Sequence, residues 1–366
     1  MRETDGMSFR QYAAAVGTAM FSPVTRLLPG AVLRAAGFSG WLAPLAALPL
    51  LAVPVLAAER LAKEGEGRVG LGEALELRLG ALPGRLAAAL ICAWMAFYGG
   101  VVLRTGGERI LSAIYPAGNL SFFMGAMAAL GAVFAWGKLR WAGRSARVTF
   151  LAFLLLLGLV FAMALPGVKG DYIWPPDLSR PGRLGLAALP VAEVLSPWVF
   201  FSFLRGAVQE DGGALRRGLR GMGLLAVLTL LFLLTTVGQL GPELALRQQY
   251  PFYVLVKNLR LFDLMERFDG IIVVIWVMTD YVFLGMLLLS AAEALRRITG
   301  GSRRQPWVLL GAAAMFALGH LSGRGGVVLS DLSEKLVPAV NAAFAFLLLP
   351  LLSLLPVRKK LKNFRN

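Results

Sequence analysis

Cysteine, histidine and charged residues are scarce in this 366-residue sequence, and each scarcity excludes a class of protein. Cys92 is the only cysteine, so neither an intramolecular disulfide nor a cysteine-based metal site is possible. His320 is the only histidine, which excludes histidine-rich metal catalysis and leaves no Ser/His/Asp constellation. We therefore predict a protein that is not an enzyme and that has no metal site and no cofactor.

Apolar residues make up most of the chain. Hydrophobic residues account for 57% of it, charged residues for 16%, and the mean hydropathy is +0.69. Apolar runs of about 18 to 23 residues recur, and each is long enough to cross about 30 Å of hydrocarbon. The sequence thus predicts an all-α polytopic membrane protein with about ten transmembrane helices. The predicted spans are 9–29, 41–60, 84–103, 117–136, 147–166, 184–204, 219–238, 270–292, 306–322 and 337–356.

The formal net charge of +16 is unevenly distributed between the two sides of the predicted membrane. Placing the amino terminus in the cytoplasm puts 24 of the 37 Lys and Arg residues on the cytoplasmic side and 13 on the outer side. This excess favours a cytoplasmic position for both termini. The basic charge is mainly a topology signal with a secondary attraction to anionic lipid, so we expect a lipid bilayer and no nucleic acid as partner.

Ten spans in a single domain, 1–366, divide naturally into five plus five. The predicted repeats are 1–167 and 168–366, the second including the basic tail, and an odd number of spans per half makes the second repeat inverted. Spans one and six then correspond, and both are interrupted: span one around Gly17 and Thr18, span six by two prolines around Glu193. Matched interruptions predict a binding site, although proline also simply kinks membrane helices.

Glu193 is the most informative residue, because an ionised carboxylate in hydrocarbon is costly and normally faces a cavity or a partner. Three roles remain open from the sequence: a group that titrates or binds a cation, a partner of a basic residue, or a structural acid bonded to backbone amides freed by Pro190 and Pro197. We favour a role in the site.

Two further polar residues lie inside predicted spans. Asp280, near the middle of span eight, is either functional or paired with Arg104 or Arg26. Tyr98 precedes Gly99 and Gly100 in span three. The glycines favour close helix packing, and the Tyr98 hydroxyl is a candidate ligand contact, with packing as its alternative role.

Two connections are long enough to carry structure of their own. In 61–83 the residues Leu71, Leu75 and Leu79 recur every four positions, which predicts a short amphipathic helix at the inner interface. The segment 250–260 is apolar and aromatic but too short to span a bilayer, so we predict an interfacial helix that caps the outer face.

Several motifs resemble those of spore germination receptor B subunits. They include Glu193–Val194–Leu195, similar to an "FE(V/I)L" region in helix six, and 266–277, similar to an "ERxxxxxxxxW" entry into helix eight. The opening of the chain is also similar to this family. Its matching pieces are Met7–Ser8–Phe9–Arg10–Gln11, Gly17–Thr18, Leu28–Pro29, Ala36–Gly37 and Trp41–Leu42.

The resemblance implies the fold of the amino acid–polyamine–organocation superfamily, with five-plus-five inverted repeats and broken helices 1 and 6. It implies a receptor subunit of the spore inner membrane that acts with A-type and C-type subunits and binds a small germinant, commonly an amino acid. The implied ligand-binding residues are Gly17, Thr18, Ala19, Tyr98, Ala192 and Glu193. Phe21 and Pro23 stand where the family tends to have small residues, and a bulky Phe21 predicts a smaller or reshaped pocket.

Two other functions stay open beside the germinant receptor. One is an amino-acid transporter of the same fold, coupled to protons through Glu193. The other is a structural subunit whose pocket is inactive and which mainly holds its partners.

Overall fold

The computed structural model describes residues 6–64, 67–176, 181–209, 212–259, 269–323 and 326–357. All ten predicted spans lie on helices. The α-helices are α1 Phe9–Ala36, α2 Ala43–Ala46, α3 Leu48–Ala62, α4 Leu71–Leu79, α5 Ala81–Ala113, α6 Leu120–Trp136, α7 Leu139–Ala164, α8 Pro181–Leu195, α9 Ala214–Leu240, α10 Pro242–Arg247, α11 Pro251–Lys257, α12 Asp269–Ile298, α13 Gln305–Ser322, α14 Gly326–Asp331, α15 Val337–Ala343 and α16 Leu349–Leu354.

Length and composition make seven helical segments of the described chain able to cross a membrane. The first, Phe9–Ala62, contains both α1 and the second predicted span, and Leu120–Trp136 is apolar but shorter. Large apolar side chains on several helices face outward. Leu90 of α5, Leu155 of α7 and Leu351 of α16 are 72%, 69% and 61% exposed, respectively. Such a surface suits hydrocarbon and not water.

Short strands and irregular helices complete the architecture. Strand β1 (Met7–Ser8) pairs in parallel with β4 (Val208–Gln209), and β2 (Lys63–Glu64) pairs antiparallel with β3 (Gly67–Arg68). The last span joins α14, α15 and α16 through two π-helical segments, 332–336 and 344–348. The β1–β4 pair ties the start of α1 to the chain that follows span six.

Helix α1 corrects one expectation. The predicted interruption of span one at Gly17 and Thr18 is absent. Instead, α1 is a continuous α-helix from Phe9 to Ala36, with Pro23 and Pro29 inside it. Packing explains this continuity. Helices α7, α8, α9 and α12 surround α1, and a membrane helix tolerates proline where its neighbours hold it in place.

Span six is interrupted as predicted. Helix α8 ends at Leu195, and a 3-10 helix, Ser196–Ala207, continues the span with Pro197 in its first turn. A 3-10 stretch of 12 residues is unusually long, and such stretches often mark a hinge or strain. The span therefore changes its backbone geometry directly after Glu193.

The predicted packing role of the span-three glycines is confirmed. A Cβ added to Gly100 would lie 2.7 Å from the backbone N of Gly319 and from the backbone O of Met315, both on α13. A Cβ on Gly319 would in turn lie 2.5 Å from the carbonyl oxygen of Gly100. The two backbones are thus in direct contact, which only glycine permits.

Both predicted connection helices are present. Leu71 and Leu75 of α4 are buried, and Leu79 is partly buried. Helix α11 buries Phe252, Leu255 and Val256 against the bundle. The start of the "ERxxxxxxxxW" motif, 266–268, and the basic tail from 358 lie outside the described residues.

Candidate functional site

The predicted residues of spans one and six lie on α1 and α8, two helices that pack against each other. Thr18, Ala19 and Ala192 are buried, with exposed fractions of 0%, 0% and 3%. The Thr18 hydroxyl donates to the carbonyl oxygen of Ala14 at 3.0 Å. Its hydrogen is therefore used inside α1, and only the acceptor capacity of the oxygen remains for a ligand.

Gly17 lies at a different surface of α1. A Cβ at this position would come within 3.1 Å of the Phe150 ring on α7. Gly17 also lines a cavity of about 60 Å³, together with Val55, Glu59 and Trp198. None of the other five predicted ligand-binding residues lines this cavity.

Glu193 stands at the transition in span six. The Ser196 hydroxyl donates to the Glu193 backbone carbonyl at 2.6 Å, so one carbonyl at this transition has a side-chain donor. The Glu193 side chain is only partly buried. Within the described part of the chain, its carboxylate has neither a hydrogen-bond donor nor a basic partner. The carboxylate therefore remains available to a ligand or a proton.

Tyr98 contacts residues of α12 and α15. Its ring packs edge-to-face on Phe283, with ring centroids 5.3 Å apart, and its hydroxyl faces Asn341. The Asn341 side-chain oxygen also accepts a hydrogen bond from the Trp94 indole at 2.9 Å. Across the described residues, no hydrogen bond or ring contact joins Tyr98 to Thr18, Ala19 or Glu193.

Phe21 packs against aromatic rings of two neighbouring helices. Its ring packs against Phe153 of α7 at 4.9 Å and against Phe232 of α9 at 6.4 Å, measured between centroids. The next residue, Ser22, turns instead toward Asp280 of α12. Consecutive helical residues point about 100° apart, so the bulk of Phe21 fills the space toward α7 and α9.

Asp280 is paired, but with a residue that the sequence did not suggest. Its Oδ2 accepts from Nη2 of Arg109 at 2.5 Å, and its Oδ1 accepts from the Ser22 hydroxyl at 2.5 Å. Arg104 pairs with Glu108, and Arg26 donates to Thr105, so neither expected partner bonds to Asp280. The predicted third span ended at 103, whereas α5 continues to Ala113 and brings Arg109 into the bundle.

Aromatic rings cover this ion pair. The Arg109 guanidinium lies 4.5 Å from the centre of the Trp276 ring, and Tyr250 and Tyr253 pack on the same indole at 5.9 and 5.8 Å. The Tyr253 hydroxyl donates to the Ala113 carbonyl at 3.0 Å, which fastens α11 to the end of α5. Burial raises the pKa of the Tyr250 phenol above its ordinary value, so this ring stays neutral.

A second buried ion pair lies at the opposite end of α1. Glu59 at the end of α3 accepts hydrogen bonds from Arg205, which follows α8, and from Arg68 at 3.2 Å. The Arg205 guanidinium also lies over the rings of Phe9 and Tyr12, at 5.4 and 5.6 Å. No group of three or more metal-ligating His, Cys, Asp or Glu side chains occurs among the described residues.

One protein family matches this sequence. The Spore_permease family, described as "Spore germination protein", matches residues 8–321. No curated protein matches the chain by sequence.

Solved transporters share the fold. One is MhsT in complex with L-phenylalanine, with a TM-score of 0.62, 16% sequence identity, and coverage of 92% of this chain and 88% of that one. Another is a Na⁺-coupled sialic acid symporter in a substrate-bound outward-open state. It has a TM-score of 0.58 and 10% identity, and the match covers 92% of this chain and 79% of that one. The all-α polytopic membrane fold with inverted repeats is thereby confirmed, whereas the repeat boundary at residue 167 stays a prediction.

Proposed function

Because the chain belongs to the spore germination protein family of membrane permeases, we propose that it is the germinant-sensing subunit of a spore germination receptor. Its ligand is a small nutrient, most simply an amino acid, and its location is the spore inner membrane. The observation that carries this proposal is the Glu193 carboxylate, which has no partner in the described chain and lies in an apolar span directly before its change of helix type.

The proposed ligand site extends over the α1–α8 interface and the adjacent walls. Glu193 supplies a carboxylate to the nutrient's ammonium group. Thr18, Ala19 and Ala192 supply a close-packed floor, Gly17 adjoins it on α1, and Tyr98 forms part of a wall. Transporter folds place substrates at mid-depth, where a discontinuous helix provides polar groups inside the membrane.

Binding becomes a signal only if the ligand favours one of two conformations. The 3-10 segment after Leu195 is the natural element to rearrange, since 3-10 hydrogen bonds are weaker than those of an α-helix. A ligand on Glu193 would bias that segment, and the segment continues through Arg205 and β4 to the end of the bundle where α1 begins.

We infer the orientation from the charge distribution and the partners from the family. Both termini are cytoplasmic in this proposal, because 24 of the 37 basic residues then lie inside. The subunit acts with A-type and C-type germination receptor subunits in the bilayer.

The second candidate is an amino-acid transporter. Its specific support is that the two solved neighbours are an amino-acid-bound protein and a symporter, each matching over 92% of this chain. In that function Glu193 carries a proton together with the substrate.

Two measurements on the full chain in lipid separate these functions. Thermal unfolding in nanodiscs across a panel of amino acids, sugars and nucleosides identifies a ligand, and Glu193→Gln abolishes the ligand-dependent rise in Tm. The matched control is Glu76→Gln, at an acid of α4 that pairs with Arg85 at the surface. A Glu193→Gln protein that binds and responds like the wild type refutes the site. Accumulation of the radiolabelled ligand in proteoliposomes refutes the receptor-only function and favours transport.

A further inference from the structure

The buried Arg109 and the partly buried Arg26 lie near one buried carboxylate, that of Asp280, and Arg109 is the one of the two that bonds to it. The Arg26 cluster consists of Ser22 and Arg26 of α1, Thr105 and Arg109 of α5, and Trp276 and Asp280 of α12. It does not include Glu193, whereas Tyr98, which the proposed function uses as part of a wall, lies within electrostatic range of Arg26 and Asp280. The cluster contains two arginines and one acid, so one positive charge lacks a negative partner among these residues.

The acceptors in the cluster are already occupied. Asp280 is 1% exposed. One of its carboxylate oxygens accepts a hydrogen bond from Arg109 and the other accepts one from Ser22, each at 2.5 Å. The Thr105 hydroxyl accepts from Nη1 of Arg26 at 3.1 Å and donates back to the carbonyl of Val101. None of these groups takes up the remaining donors.

Three buried donors are left without an acceptor in the described chain. They are Nη2 of Arg26, Nε of Arg109 and the Trp276 indole Nε1. Arg109 and Trp276 are themselves 2% and 1% exposed, and their side chains are stacked on each other at 4.5 Å. Orphaned donors of this kind are rare in native proteins and call for an acceptor.

The net charge of the cluster, like its donors without acceptors, indicates that a negatively charged group is missing. Arg26 lies within electrostatic range of both Arg109 and Asp280, so the described cluster holds two positive charges and one negative. The nearby acid of α5, Glu108, is committed to Arg104 at 2.6 Å. An uncompensated charge is costly in a membrane-embedded site. Water would satisfy the donors but not the charge.

We propose that the Arg26 cluster binds a small anion, either chloride or the carboxylate of a small organic molecule. The anion accepts from the Arg26 and Trp276 donors and brings the cluster to neutrality. If the carboxylate belongs to the nutrient, this site deepens the proposed function and rests on it. If the anion is chloride, the site stands independently.

The test is anion-dependent thermal unfolding of the full chain in nanodiscs. Potassium chloride and potassium acetate are compared with potassium methanesulfonate at equal ionic strength, and L-phenylalanine is compared with L-phenylalanine amide in methanesulfonate. An anion at 100 times its Kd is expected to raise Tm by about 4 °C. A rise with chloride alone assigns an inorganic anion. A rise with acetate and L-phenylalanine but not with the amide assigns a carboxylate.

Substitutions of Arg26 test whether its positive charge is needed for anion binding. Arg26→Gln loses the anion-dependent rise, and Arg26→Lys, which keeps the charge, retains part of it. Arg34→Gln is the matched control on the same helix, because Arg34 is exposed and pairs with Glu334. The chloride and acetate arms contain no ammonium group, so they test the Arg26 cluster independently of the contact that the proposed function places at Glu193.

Two results overturn the proposal. One is a wild-type Tm that is the same in all three salts and unaffected by L-phenylalanine. The other is an Arg26→Gln protein that keeps the full anion-dependent rise, since the surplus guanidinium would then play no part in it.

Discussion

Arg109 and Asp280 form an ion pair at 2.5 Å between α5 and α12, with both side chains at most 3% exposed. The pair joins residues 171 positions apart in sequence and connects the third and eighth spans. The Ser22 hydroxyl adds the first span through its bond to the same carboxylate. Three helices of the bundle thus meet at one carboxyl group.

Asp280→Asn is expected to lower the free energy of unfolding by about 3–5 kcal/mol, because it leaves the buried Arg109 uncompensated. Chemical or thermal unfolding of the detergent-purified chain measures this loss. In the double variant Arg109→Gln/Asp280→Asn much of the loss returns, since neither charge remains. Exposed Glu334→Gln, which removes the partner of Arg34, should cost less than about 1 kcal/mol. Equal losses in Asp280→Asn and Glu334→Gln would contradict the importance of burial.

Glu59→Gln is expected to destabilise the end of the bundle where α1 begins. The substitution removes the negative charge that faces Arg205, whose side chain is 3% exposed, and a buried pair broken in this way typically costs about 3–5 kcal/mol. The control is Glu76→Gln, since the Arg85–Glu76 pair is much more exposed, with side chains 50% and 27% exposed. Limited proteolysis between α8 and α9 reports the local loosening. Unchanged proteolysis with unchanged Tm would speak against a structural role of Glu59.

Gly100→Ala is expected to lower stability by about 1–3 kcal/mol through overpacking, because the new methyl group would meet the α13 backbone at 2.7 Å. Gly158→Ala in α7 is the matched control, since nothing lies within 4 Å of the Cβ position there. The control should be neutral or stabilising by up to about 1 kcal/mol, from helix propensity alone. Thermal unfolding of the two proteins side by side tests the α5–α13 contact, and a Gly100→Ala protein as stable as Gly158→Ala would refute it.

Tyr98→Phe is expected to weaken nutrient binding if the hydroxyl contacts the ligand, by about 1–3 kcal/mol or roughly 5- to 150-fold in Kd. Titration of the ligand identified by the panel measures this change. Tyr253→Phe serves as the control, because its hydroxyl bonds the Ala113 carbonyl and not the proposed site. A fall in Tm with unchanged Kd for Tyr98→Phe would assign the hydroxyl to its neighbour Asn341 instead.

Much of the fold was predictable because membrane crossing is a local property of the sequence. Any segment of about 20 apolar residues long enough for the hydrocarbon core must form a helix there, since its backbone groups have no other partners. All ten predicted spans are helical for this reason, and the glycine contact of Gly100 followed from the same kind of local pattern. The interruption of span six was readable from Pro197, whereas Pro190 lies inside the continuous helix α8.

The errors concern properties that depend on neighbouring helices. Pro23 and Pro29 resemble the prolines of span six in sequence, yet α1 stays continuous because four helices pack around it. The continuity of α1 is not encoded within the span itself.

The sequence alone determined that this chain is an all-α polytopic membrane protein with an acid in an interrupted span, and its motifs indicated the family. Only the tertiary structure decided that Asp280 pairs with Arg109 and not with Arg104 or Arg26, and that Glu193 has no partner in the described chain. Hydropathy depends on residue composition, whereas ion pairing depends on the depth and rotation of helices that are distant in sequence. Arg26, Arg104 and Arg109 could each pair with a carboxylate, and of these three the tertiary structure brings Arg109 within bonding distance of Asp280.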